Sequence, residues 1–428
     1  MERLLTDKLL KWKEKKNRKP LLLKGARQVG KTWIMKSFGK KNFENVAYVN
    51  FDNNKRMRDI FNDDYNIDRI ITAINIETGQ KIIPDKTLII FDEVQEVPRA
   101  ISSLKYFYEN APKYAIIAAG SLLGVAIHKG VSIPVGKIDI LHLEPMNYRE
   151  FLMAMGETDL ANLIETKDYD MMASFSTKYI DWLKKYYYIG GMPEVVKDFA
   201  ENKDFNTVKE IQNIILEQYE DDFGKHADAS ELSRIRMVWN SIPMQLAKEN
   251  KKFFFGHIKK GARAKDFEEA IEWLLDCGLI NKVYRVNKPA MPLKSYTEFS
   301  AFKIYLLDVG LLTALSDLDA LSILEGNSIF TEFKGSLTEQ YVSQQLMSDT
   351  TYTPYYFSPS EHNEIDFIIQ KGKHIVPIEV KAENNLKSKS LKAYCDKFKP
   401  EYAVRTSMAN YEEQSWMTNL PLYAIHNL

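Results

Sequence analysis

Residues 20–38 read PLLLKGARQVGKTWIMKSF, and this stretch restricts the fold more tightly than any other. Leu21 to Leu23 have the length and composition of a short buried strand. They run into Gly25-Ala26-Arg27-Gln28-Val29-Gly30-Lys31-Thr32, and a helical pattern carrying Trp33, Ile34 and Phe38 follows. The spacing is G-x-x-x-x-G-K-[ST], in the strand–loop–helix setting that gives it meaning. The glycines let the loop curl until backbone N–H groups converge, and the helix N-terminus adds partial positive charge at the same point. Such a cradle takes phosphate. Lys31 would reach the β- and γ-phosphates of a nucleotide, and the Thr32 hydroxyl would ligate Mg²⁺. Gly25 through Thr32 are therefore candidate nucleotide-binding residues, with ATP and Mg²⁺ the expected cofactors.

A phosphate loop of this kind requires a second strand ending in acid, and KTLIIFDEVQ supplies it. Leu88 to Phe91 form a continuous apolar run, as a parallel strand buried on both faces does. Asp92 and Glu93 follow at its C-terminal end, where open α/β sheets place ligands. Asp92 is the candidate residue behind the Mg²⁺, and Glu93 the candidate for polarising the attacking water. The next strand, YAIIAAGS, ends in Ser121, which either senses the γ-phosphate or merely ends the strand. NVAYVNFD and KIDILHL read as further strands, and the alternation through about residue 150 indicates a doubly wound parallel sheet.

Five stretches resemble a known family: LLKGARQVGKT, LIIFDEVQEVPRA, IIAAGSLLGVAI, LEPMNYREFL and YIGGMPEVV. They are similar to the AAA+-type predicted ATPases of bacteria and archaea that carry a winged-helix region and a nuclease-like C-terminal domain. The resemblance covers nearly the whole chain. It implies a strand inserted between the phosphate-loop strand and the acidic strand, a description NVAYVNFD fits. It does not supply a substrate.

Length and composition set outer limits. A chain of 428 residues is too long for one core and suggests about three domains. The formal net charge is zero, so a nucleic-acid partner would be held by local basic patches and not by a global field. Two cysteines, Cys277 and Cys395, exclude a disulfide framework and a four-cysteine zinc site and fit a reducing compartment. The N-terminal MERLLTDKLLKWKEKKNRKP reads as an amphipathic basic helix, not a secretory signal. The least charged stretch, YAIIAAGSLLGVAI, is shorter than the run of about 20 apolar residues needed to span a bilayer. The expectation is a cytoplasmic protein without membrane attachment; oligomerisation is left open.

The expected domains are a P-loop ATPase core at 1–150, a helical lid at 151–229, a winged-helix-like domain at 230–325 and a restriction-endonuclease-like α/β domain at 326–428. In the lid, Tyr186 to Tyr188 read as core more readily than as a base-stacking platform. ATPases of this class often set an arginine against the γ-phosphate. Arg149, Arg234, Arg236 and Arg263 are all available, and none is assigned. From Ser230 to Leu312, two helical patterns and two strand patterns make a winged-helix-like order. Lys259, Lys260, Arg263 and Lys265 in HIKKGARAKDF stand at the start of its second helix, where they would contact DNA phosphates or form a solvated turn.

The last domain opens with the helical FKGSLTEQYVSQQL. The strand pair NEIDFIIQ and HIVPIEVK follows. Glutamate on a helix, aspartate on one strand and Glu-x-Lys on the next resemble the restriction-endonuclease-like fold. There, Glu339, Asp366 and Glu379 would gather oxygen ligands around a second Mg²⁺ or Mn²⁺. Lys381 would orient the nucleophile, and Lys387, Lys389, Lys392, Lys397 and Lys399 would clamp a backbone. The plainer alternative is a solvated ion pair between Glu379 and Lys381. The leading reading is thus an ATP-hydrolysing enzyme with a nucleic-acid-directed, Mg²⁺-dependent nuclease-like C-terminal domain. The alternatives are a nucleotide-dependent switch or scaffold whose nuclease-like domain only binds a partner, and an ATPase that remodels a protein.

Overall fold

The structure is a computed structural model and describes residues 1–121, 123–124, 133–248, 251–326, 331–360, 363–383 and 387–428. The chain forms two compact units. One holds residues 2–144 with 276–278; the other holds 145–275 and 279–428 together with residue 1.

In the first unit, five strands form one parallel sheet: β1 (Leu21–Lys24), β2 (Asn45–Asn50), β3 (Thr87–Asp92), β4 (Ala115–Ala119) and β5 (Asp139–His142). Their spatial order is β2-β3-β4-β1-β5. Every residue of β3 and β4 is buried, which is what helices on both faces of a parallel sheet require and why these strands are apolar without alternation. Leu22, Val49, Ile89, Phe91, Ile116 and the helix residues Ile101, Leu104 and Phe107 share one core. The order corrects one expectation. The strand standing between β1 and β3 is β4, whereas β2, from NVAYVNFD, is the outer edge and pairs with the far side of β3. Residues 122 and 125–127 of the stretch YAIIAAGSLLGVAI lie outside the described residues.

The second unit is helical up to about residue 276 and then carries an eight-stranded mixed sheet. Its strands are β6 (Ile280–Val286), β7 (Thr297–Leu306), β8 (Tyr355–Ser360), β9 (Asn363–Lys371), β10 (His374–Val380), β11 (Val404–Ser407), β12 (Glu412–Glu413) and β13 (Thr418–Pro421). The order is β12-β13-β11-β10-β9-β8-β6-β7. The hairpin expected as a wing is therefore not free: β6 pairs in parallel with β8, so the sheet continues from residues 280–306 into the C-terminal strands. Among the described residues no helix is long and apolar enough to cross a membrane.

Packing explains two sequence features of this unit. Tyr186, Tyr187 and Tyr188 are buried, and Tyr186 packs edge-on against Tyr148, Phe151 and Tyr341, so the run is core. Gly190 and Gly191 follow, where the chain crosses Asp308. The Gly191 N–H donates to Asp308 Oδ2 at 2.6 Å. A Cβ on Gly190 would stand 2.1 Å from Asp308 Oδ1, and one on Gly191 would stand 2.0 Å from the Met146 carbonyl oxygen.

Candidate functional sites

The loop after β1 turns through three residues of positive φ, Gly25 at 152°, Gln28 at 68° and Gly30 at 93°. Gly25 is required by space as well as by torsion, since a Cβ there would stand 2.2 Å from the Leu143 carbonyl oxygen. Ala26 and Val29 are buried and anchor the loop from beneath. The helix Lys31–Asn42 starts directly after Gly30, so its unpaired N–H groups face the loop's hollow. Lys31 is also buried, and its ammonium donates to the carbonyls of Gly25 at 2.9 Å and Ala26 at 2.6 Å. Burial lowers its pKa to about 8, with Glu93 and Asp92 opposing the shift and Arg27 adding to it.

Asp92, at the end of β3, gathers three donors. Thr32 Oγ1 donates to Oδ2 at 2.6 Å, the Tyr48 hydroxyl donates to the same oxygen at 2.9 Å, and the Glu93 N–H donates to Oδ1 at 3.2 Å. The residues fit Mg²⁺. Thr32 gives its one proton to Asp92, so its lone pairs are left for a cation, and both groups are hard oxygen donors. Glu93 stands in left-handed backbone at φ 49° and ψ 45°, a conformation that costs a non-glycine residue energy and clusters at functional sites. Its carboxylate accepts from Gln95 Nε2 at 2.7 Å and from Ser121 Oγ at 3.0 Å. Gly120 makes room for this arrangement, because a Cβ there would stand 2.1 Å from Gln95 Oε1.

The structure thus brings together the phosphate loop, Lys31, Thr32, Asp92, Glu93 and Ser121. Tyr48 and Gln95 were missed. Tyr48 pairs in register with Ile90, and Asn50 with Asp92, so Tyr48 is the diagonal same-face neighbour of Asp92, within reach of an aromatic side chain. The alternation of YVN contains that signal, but it is readable only once β2 is known to lie beside β3.

The C-terminal carboxylates are arranged otherwise than expected. Glu339, on the helix Thr331–Asp349, is buried and ion-paired with Lys251 and with Lys303, the latter at 3.6 Å, and it accepts from the Tyr305 hydroxyl at 3.2 Å. Burial opposes the charge on Glu339, but the two lysines outweigh it and hold the carboxyl below its usual range. Lys303 has no exposed surface and pairs with Glu364 as well. Asp366 accepts from the Val380 N–H at 2.7 Å. Burial first, then Glu339, raise its pKa to about 7. Glu379 takes a separate course, pairing with Lys381 at 2.7 Å and accepting from the Leu391 N–H at 3.2 Å.

The structure does not bring the expected second metal centre together. The expected ligands were Glu339, Asp366 and Glu379, yet lysine ammonium groups stand against Glu339 and Glu379. Among the described residues no three His, Cys, Asp or Glu are grouped to hold a metal ion. Lys381 is the ion-pair partner of Glu379, the pairing of the plainer alternative, but Glu379 is buried and not solvated. Arg149 is buried against the Ala161 carbonyl and Glu165, a packing role. Lys259, Lys260, Arg263 and Lys265 are exposed in the turn before the helix Glu268–Asp276 and not on it. On the helix Lys389–Phe398, Lys392 is paired with Asp396 at 2.7 Å.

Three family descriptions match the chain: "AAA domain" at residues 17–152, and two domains of unknown function, DUF8612 at 180–322 and DUF4143 at 334–425. Among solved structures, the Walker-type ATPase PABY2304 of Pyrococcus abyssi is 15% identical, with 73% of this chain and 95% of that one covered at a TM-score of 0.46. Two Thermotoga maritima RuvB structures have TM-scores of 0.31. The T158V variant is 15% identical over 68% of this chain and 89% of its own. The one titled a Holliday junction branch migration motor is 14% identical over 68% and 91%. No curated protein matches. The structural overlaps are loose, and the assignment rests on the family matches and on the parallel sheet with its phosphate loop. The chain carries an AAA-type domain at residues 17–152, followed by regions that match two domains of unknown function.

Proposed function

We propose that the first unit binds ATP with Mg²⁺ and hydrolyses it, and that the second is a binding module that does not cleave nucleic acid. The observation that carries the first half is the convergence of Lys31, Thr32, Asp92 and Glu93 at the tips of β1 and β3. In this reading the curled loop and the N-terminus of the helix Lys31–Asn42 bind the triphosphate, and the Lys31 ammonium exchanges the carbonyls of Gly25 and Ala26 for phosphate oxygens. Thr32 and Asp92 would hold Mg²⁺, which when bound neutralises charge developing on the phosphate oxygens. Glu93 orients the attacking water and takes its proton, while Ser121 and Gln95 hold the carboxylate in place.

The second half of the proposal is supported by the lysines on Glu339 and Glu379. A cleaving centre would need Lys251 and Lys303 withdrawn from Glu339 before a cation could enter, which would leave buried charge uncompensated. The exposed basic turn at Lys259, Lys260, Arg263 and Lys265 supports a polyanionic partner, DNA among them. Two assays on the purified full chain test this reading. Phosphate release from ATP and Mg²⁺ is expected in the wild type and absent in Lys31→Ala. Plasmid and single-stranded DNA are expected to stay intact with Mg²⁺ or Mn²⁺, with or without ATP; cleavage lost in Asp366→Ala would overturn the second half.

A further inference from the structure

Tyr48 lies outside the phosphate loop and the acidic strand, yet its hydroxyl ends on Asp92. Resting on the ATPase reading above, we infer that Tyr48 is a positioning residue: it fixes the Asp92 carboxylate for the Mg²⁺ that accompanies the nucleotide.

The geometry is a pinch. Thr32 reaches Asp92 Oδ2 from the helix side and Tyr48 reaches the same oxygen from β2, while the Glu93 N–H holds Oδ1. A carboxylate with a donor on each oxygen and two donors from opposite elements on one of them has a single preferred orientation. The Tyr48 ring is itself pinned, since Lys36 Nζ sits 3.5 Å from its centroid. Thr32 is the expected cation ligand, so its hydroxyl has other work when nucleotide is bound. Tyr48 has no such second task, so its hydroxyl is the side-chain donor left to orient Asp92, beside the backbone N–H of Glu93. Partners that orient metal-binding groups typically change metal affinity about 10–100-fold when removed.

Tyr48→Phe deletes the hydroxyl and keeps the ring under Lys36, so the fold is spared. Binding of a non-hydrolysable ATP analogue to the full chain is measured by calorimetry, once with EDTA and once across a Mg²⁺ series. Wild type is expected to bind more tightly with Mg²⁺. Tyr48→Phe is expected to match wild type in EDTA and to need about tenfold more Mg²⁺ for half of the enhancement. In turnover, the Mg²⁺ requirement rises in the same proportion and saturating Mg²⁺ restores most of kcat. An unchanged Mg²⁺ requirement overturns the inference. So does an equal loss of affinity with and without Mg²⁺, because that marks a packing role. Wild type failing to bind the analogue at all sinks the ATPase reading, and this inference with it.

Discussion

The Lys31 ammonium is held by the carbonyl oxygens of its own loop, at 2.6 Å from Ala26. The ammonium is also buried, and its charge is costly there. Between pH 8 and its ordinary value of 10.5 the unfolded chain holds this proton and the folded chain does not. Stability of the nucleotide-free protein should consequently rise with pH across that window.

Triphosphate oxygens favour the charged ammonium, so binding ATP above pH 8 should draw in a proton. Calorimetry at pH 8.5 in buffers of different ionisation enthalpy is expected to give different apparent heats for wild type. Lys31→Met should abolish both the proton uptake and most of the binding. Buffer-independent heats in wild type would contradict the lowered pKa.

Glu93 stands in strained backbone beside Ser121 and Gln95. Glu93→Gln keeps the shape and removes the base. Turnover is expected to fall by about 10²–10⁴-fold with nucleotide affinity little changed. Equal losses in affinity and turnover would assign Glu93 a binding role instead.

In the second unit, Asp366 faces Glu339, Lys303, Lys251 and Glu364, and its pKa is raised to about 7. A raised carboxyl pKa means that the folded state holds a proton the unfolded state has lost. Its contribution is therefore present at low pH and disappears as pH rises from about 4 through 7. Asp366→Asn should flatten that part of the stability profile and leave the protein at least as stable as wild type at pH 8, as followed by thermal melting.

Lys303 is the cation on which this cluster depends. Lys303→Met leaves Glu364 and Glu339 short of a partner in a buried setting, and about 3–5 kcal/mol of stability should go with it. Mg²⁺ should not restore the loss, since the carboxylates are not grouped as metal ligands. Recovery by millimolar Mg²⁺ in a denaturant melt would favour a metal centre after all.

What could be read in advance follows from how local each feature is. The phosphate loop is contiguous: strand, turn and helix occupy residues 21–42, and two of its three positive-φ positions, Gly25 and Gly30, are glycines, with Gln28 the third. Asp92 and Glu93 were legible because β3 is an unbroken apolar run that must be buried on both faces. Tyr48 was not, because its partner lies on another strand and depends on sheet order, which alternation does not encode. The same gap put β2 where β4 belongs. The surroundings of the C-terminal carboxylates were hidden for a different reason. Residue types near Asp366 and Glu379 match a metal centre, but Lys251 and Lys303 reach Glu339 from 88 and 36 residues away in sequence. Glu379 and Lys381, two residues apart, showed their ion pair in the sequence itself.

The most direct test is a calorimetric titration of the folded full chain with ATP and Mg²⁺ at millimolar concentrations. Saturable uptake of about one nucleotide per chain, lost in Lys31→Ala, is the expected result. No uptake by wild type, or equal uptake by both proteins, would contradict the assignment of the loop at residues 25–32 as the triphosphate cradle.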